Sequence, residues 1–253
     1  PPPFRGRSLS ALLFLIFTLA SLLAFPALAQ TFSVDLGGSG DNPGTVSGRA
    51  IQLIALMTVL SLAPSILMMM TSFIRIVVVL SFLRTAIGLQ QTPPNSVMIA
   101  LALFLTFFIM APTLESAYTN GIKPYMEESI DEGTAFDRTV EPFKEFMLKH
   151  ARPQDIQLFL DAAKMNTPEK AMDTPLHVVI PAFMISELKR AFEIGFMLFL
   201  PFLIIDMVTA SILMSMGMMM LPPVAISLPF KIIFFVLVDG WHLVAGSLIQ
   251  SFG

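Results

Sequence analysis

From Ser186 to Trp241 the chain is almost continuously apolar, in two long runs joined by a hinge that carries no charge. The hinge reads Met214-Ser215-Met216-Gly217-Met218-Met219-Met220-Leu221-Pro222-Pro223. A cytoplasmic loop joining two membrane segments usually carries Lys or Arg, so an uncharged, soft loop is better suited to lining or plugging something than to standing in water. Only 13% of the 253 residues are charged and 55% are hydrophobic, against roughly a quarter charged in soluble domains, which places the chain in the membrane class.

Position makes the methionines informative. A methionine cluster alone is ordinary gap-filling, but Met218, Met219 and Met220 are consecutive and cannot share one helix face. Preceded by Gly217 and followed by Pro222-Pro223, they fall on a predicted turn. Unbranched thioethers on a turn can close an opening tightly yet deform around a passing chain.

The N-terminus has the pattern of an export signal. Arg5 and Arg7 precede an apolar run from Leu9 to about Phe25, and Ala27-Leu28-Ala29 supplies a small-x-small site, so residues 1–29 are expected to be removed. Residues 30–50, rich in Gly and Ser, read as a flexible linker. Ile51 to about Gly88 is a first apolar helix, too long for one bilayer unless kinked near Pro64. Val97–Thr113 is a second, with Asn95 or Ser96 as N-cap. A third runs from about Arg190 to Leu213 and a fourth from Val224 to Ile249.

Between the second and third, Glu115–Asp173 holds twelve acids and seven bases, a net charge of −5. Helical spacing places Phe143, Phe146 and Met147 on one face and Ile156, Phe159 and Leu160 on another. An acidic insertion prefers the outer side of a membrane, which agrees with the export signal and predicts a small helical periplasmic segment over residues 115–176. The predicted architecture is therefore all-α, a polytopic membrane-type protein with four long apolar helices and a helical insertion. Lys189 and Arg190 do not fit that topology, because they fall at the outer end of the third run.

Charges inside apolar runs need partners. Glu187–Arg190 and Arg190–Glu193 are each spaced to meet on one helix face, either as a local ladder or with one member pairing between subunits. Asp206 is a lone acid amid apolar residues with no evident partner, and Arg75 stands apart from Arg84 on nearly the opposite face. Asp239, Trp241 and His242 read as a helix-end anchor. There are no cysteines, the three histidines (His150, His177, His242) lack ligand spacing, and no nucleophile elbow or phosphate loop occurs. Enzyme chemistry, metal sites and cofactors are not expected, and a net charge of −3 gives no footprint for nucleic acid.

Several long segments resemble the FliP family: MTSFIRIVVVLSFLR at 70–84, LQQTPPN at 89–95, SELKRAFEIGF at 186–196, DMVTASILMSMGMMMLPP at 206–223 and LPFKIIFFVLVDGW at 228–241. The family is the flagellar relative of an injectisome export-gate protein. The resemblance implies a homopentamer assembled with FliQ and FliR, among other export-apparatus membrane proteins, into a helical ring. Unfolded flagellar subunits would cross it, at the inner membrane and on the periplasmic side of the basal body. It implies a gasket of Met218, Met219 and Met220, with Met214 and Met216 as outer neighbours. It further implies an inter-subunit role for Glu187, with Lys189 and Arg190 beside it, and for Phe146 and Phe159. The competing expectation is a secondary transporter or ion channel built on Asp206 and Glu193.

Overall fold

The computed structural model describes residues 43–89, 91–218 and 221–253. The expected signal segment 1–29, the first part of the linker, Met219 and Met220 lie outside the described residues. Every regular element among those described is helical: α1 (Pro43–Met69), α2 (Phe73–Ile87), α3 (Asn95–Ala117), α4 (Lys123–Met126), α5 (Glu132–His150), α6 (Pro153–Ala162), α7 (Leu176–Ser215), α8 (Pro223–Leu237) and α9 (Gly240–Gln250). A π-helical turn, Tyr118–Ile122, joins α3 to α4, and a 3₁₀ turn, Ala171–Asp173, precedes α7.

The element boundaries correct several expectations. The expected linker runs to residue 50, but the chain is helical from Pro43, where a proline at the first helical position forfeits no hydrogen bond. The first apolar run breaks at residues 70–72, between α1 and α2, and not at Pro64. α3 begins at Asn95 with Pro94 as its cap residue, while Asn95 Oδ1 instead accepts from Arg84 Nη1 at 2.5 Å. The fourth run is two helices, bent by 62° where Asp239 adopts a left-handed backbone (φ 50°, ψ 54°), a conformation aspartate tolerates better than most residues.

Among the described residues, two helical stretches, Asn95–Met126 and Leu176–Ser215, are long and apolar enough to cross a membrane, and the bent pair α8–α9 makes a third if counted as one span. α7 has 40 residues, so at 1.5 Å per residue it is about 60 Å long, twice a bilayer core. Lys189 and Arg190 therefore fall well inside one helix, about 20 Å from its start.

α2 is the central strut. Its Ile76, Val79, Leu80, Leu83, Ala86 and Ile87 are buried, and α7, α3 and α8 pack around it. The helix stops at Gly88 (φ 91°), whose N–H reaches Thr85 O while the Leu89 N–H reaches Arg84 O, the paired closure of a helix that ends on a left-handed glycine. Where α7 crosses α2, Gly195 admits the Phe82 ring; a Cβ there would lie 2.6 Å from the ring. A second apolar cluster joins the insertion to the first part of α7, through Phe143, Met147, Val179 and Phe183.

The insertion is helical as its spacing predicts, and Phe143, Met147 and Leu160 are buried. Asp131 caps α5 by accepting from the backbone N–H of Thr134 at 3.2 Å and from its hydroxyl at 2.6 Å. Those bonds, the hydroxyl's foremost, hold the Asp131 carboxyl below its ordinary pKa.

Candidate functional site

The methionine hinge is a turn, as its glycine and prolines predict. α7 ends at Ser215, Gly217 takes φ 74°, its N–H reaches Met214 O at 3.0 Å, and the Met218 N–H reaches Leu213 O at 3.0 Å. The closure satisfies two carbonyls that a helix end otherwise leaves free. Met214, Met216 and Met218 are all exposed. Pro222 then caps α8 and Pro223 begins it, so Met216 and Met218 stand on a short turn between two apolar helices, with Met214 in the last turn of α7.

Behind the turn, α7 and α8 are tied by charge. Lys231 Nζ lies 2.6 Å from Asp206 Oδ2, and Ser227 Oγ donates to Asp206 Oδ1 at 2.5 Å. Ser227 and Lys231 are one helical turn apart, so both reach the same carboxylate. Lys231 also donates to Ala86 O at 3.2 Å, near the end of α2, which ties in a third helix. Lys231 and Ser227 are buried, while the Asp206 side chain is 25% exposed. Asp206 thus has the partner that the linear reading missed. The signal was present: a lone acid and a lone base stand at comparable distances on either side of one tight hinge.

A second pair lies at the other end of α2. Arg75 Nε and Nη2 donate to Glu187 Oε2 and Oε1 at 2.8 and 2.5 Å, with both side chains wholly buried. Arg75 Nη1 donates to the Ser251 carbonyl and hydroxyl, each at 2.9 Å, and the Phe252 ring lies 3.6 Å from the guanidinium carbon. The expected ladder through Arg190 does not form. Glu187 turns inward to Arg75, and the exposed pair on α7 is Lys189–Glu193 at 3.5 Å. Arg190 is exposed and makes no ion pair among the described residues. The Glu187 carboxylate pairs within its own chain, on the buried side of α7, whereas Arg190 lies on the exposed side.

Ser186, beside Glu187, fixes the insertion to α7. Its hydroxyl donates to Asp155 Oδ2 at 2.5 Å and accepts the Arg152 N–H at 2.9 Å, while the Arg152 side chain forks onto the Asp155 carboxylate at 2.8 Å. The sequence reading singled out neither Asp155 nor Ser186. Phe146 is half-buried in an aromatic cluster with His150, Phe183 and Phe252, at centroid distances of 4.7, 5.9 and 6.0 Å. Phe159, on α6, is half-buried. Burial first, then the nearby charges of Arg75, Lys149 and Arg190, hold the His150 imidazole down to about 4.

The chain is similar to known proteins over most of its length. Residues 56–248 match the FliP family. The chain is 59% identical over 234 residues to the flagellar biosynthetic protein FliP of Caulobacter vibrioides, covering 92% of this chain and 86% of that one. It is 58% identical over 214 residues to the flagellar biosynthetic protein FliP of Bacillus subtilis, covering 85% and 96%. To that of Aquifex aeolicus it is 55% identical over 205 residues, covering 80% and 86%. A match of this extent, spanning α2, α7, the methionine turn and α8, makes the chain a member of the FliP family.

Proposed function

We propose that this protein is a core subunit of the flagellar protein export gate, a passive channel for unfolded flagellar subunits whose methionine turn serves as the gasket. The observation that carries the reading is the turn itself. Three exposed thioethers stand at a hydrogen-bonded helix closure, Met214 on the last turn of α7 and Met216 and Met218 beyond it, and Asp206, Ser227 and Lys231 brace the two helices behind it. A seal needs a fixed mount and a compliant edge, and methionine on a glycine-closed turn supplies both.

In this reading several copies, five by family resemblance, form a ring with FliQ and FliR at the inner membrane, with the acidic insertion on the periplasmic side. The ring requires lateral contact between copies, and α7 leaves Phe192, Phe196, Met197, Ile204, Met207 and Val208 exposed, apolar surface of the kind such contact would cover. Energy for transport would come from other components. The competing reading, a transporter or ion channel built on Asp206 and Glu193, requires substrate flux by this chain alone in liposomes that Asp206→Asn abolishes.

The test is solute leakage across the membrane of secreting cells. Replacing Met214, Met216 and Met218 with serine, with Met219 and Met220 intact or deleted, is expected to admit small solutes while export continues. An unchanged permeability barrier during export would sink the gasket. Native mass spectrometry of the detergent-extracted protein with its neighbours tests the ring; a stable monomer indifferent to them overturns it.

A further inference from the structure

α9 is fastened at its two ends and loosely packed between them. At its start the chain bends by 62° at Asp239, whose backbone is left-handed. Phe235 clasps that bend: its ring meets Trp241 edge-on at 5.4 Å and leaves no room for a Cβ on Gly240. At the far end Arg75 Nη1 donates to the Ser251 carbonyl and hydroxyl, and the Phe252 ring lies 3.6 Å from the guanidinium carbon. Phe252 also reaches the helical insertion, stacked on Phe146 at 6.0 Å and edge-on to His150 at 5.2 Å.

Between the two fastenings α9 buries one residue per turn, Gly240, Val244 and Leu248, a narrow stripe at a spacing of four. A cavity of about 280 Å³ lies against that stripe, bounded by Val79 of α2, Ile194 and Leu198 of α7, and Val244 and Ser247 of α9. A Cβ on Gly246 would meet none of the described residues within 4 Å. Protein interiors are close-packed, so a helix beside such a void lacks contacts that a seated helix would make. Eleven residues do not hold a helix by themselves, and the placement of α9 therefore depends on its ends.

The two ends differ in what their release leaves behind. Opening the bend would strip Phe235 from Gly240 and Trp241. Releasing Ser251 and Phe252 strands no charge, because Arg75 keeps both of its bonds to Glu187 and water can take the place of Ser251. The tip is the end that lets go, and the bend is the pivot.

We propose that α9 is a releasable strap. It swings as a unit about the Asp239–Gly240 bend when Ser251 and Phe252 leave Arg75, and its seating couples the insertion to the methionine turn. The path is one continuous piece of chain: α8 runs from the turn to the bend, and α9 from the bend to a tip lodged against α5. The coupling rests on the gate reading above, whereas the swing does not.

Amide exchange of the full chain in detergent reads the swing. The amides of residues 243–250 are expected to exchange together, about tenfold faster than those of α2. F252A is expected to speed them by about tenfold more, and the milder S251A by about threefold, while α2 and α7 keep their protection. Exchange of α9 only in step with α2, in the parent and in both variants, overturns the strap. The coupling is read by locking α9. The chain has no cysteine, so S247C and I194C, both on the cavity wall, can be joined by a short bifunctional thiol reagent. In cells making the complete apparatus the joined protein is expected to export about tenfold less, to recover when a reducible bridge is cleaved, and to differ from either single-cysteine variant treated alike. Undiminished export with the bridge confirmed by mass spectrometry overturns the coupling. If the methionine replacements leave the permeability barrier intact while α9 still swings, the gasket fails and the strap stands.

Discussion

Arg75 and Glu187 are 112 residues apart in sequence, yet their side chains meet as a two-point fork, 2.8 and 2.5 Å, with no exposure of either. The pair joins the central strut α2 to the longest helix, α7, and through Ser251 and Phe252 it also holds the end of the chain. A buried pair of this kind adds little over an apolar replacement, but losing one partner strands a charge.

Arg75→Met and Glu187→Leu are therefore each expected to destabilise the protein by about 3–5 kcal/mol, and the double variant by much less. Thermal melts in detergent, arranged as a double-mutant cycle, measure the coupling. Additive single effects would show that the pair does not act as a unit.

Asp206→Asn should leave Lys231 buried and uncompensated between α7, α8 and the end of α2. The expected result is faster proteolysis at the methionine turn and a loss of about 3 kcal/mol or more, relieved by adding Lys231→Met. If D206N/K231M melts no higher than D206N, the unpaired lysine is not the cause.

Gly217→Ala places a Cβ on a residue at φ 74°, with none of the described residues within 4 Å to obstruct it. The cost is then backbone strain alone, about 1–2 kcal/mol, confined to the turn. Amide exchange should quicken at Gly217 and Met218, whose N–H groups close the helix, while the α2 amides keep their protection. Gly195→Leu is the contrasting case, because its side chain would collide with Phe82 between two packed helices, for about 1–3 kcal/mol or more. Phe82→Ala should partly rescue it.

His150 makes stability depend on pH. Its folded pKa, about 4, lies below the ordinary 6.5, so the unfolded chain binds the proton more readily. The contribution of neutral His150 is complete above pH 6.5 and is lost as pH falls from 6.5 through 4, by at most about 3 kcal/mol. His150→Phe should flatten the melting temperature across that window. An unchanged slope would assign the acid sensitivity to other groups.

Much of this was legible in the linear chain. The helical character, the membrane-class composition and the acidic helical insertion followed from periodicity and charge, and the turn at Gly217 followed from its glycine and flanking prolines. These are local properties, set within a few residues by backbone sterics and by the spacing of apolar side chains. The linear reading went wrong where partners are distant or where a helix continues past its apolar stretch. It paired Glu187 with its i,i+3 neighbour Arg190, left Asp206 alone, and drew α8 and α9 as one unbent helix.

Helical character, apolar composition and an uncharged methionine turn are written in the linear chain, because each depends on short-range chemistry. Which charge answers which is settled by packing. Arg75 faces Glu187, Lys231 faces Asp206, and Asp155 faces Ser186, across separations of 112, 25 and 31 residues. A charge inside an apolar fold must find a counter-charge or hydrogen-bond partner wherever packing brings one, and sequence distance does not enter that energy.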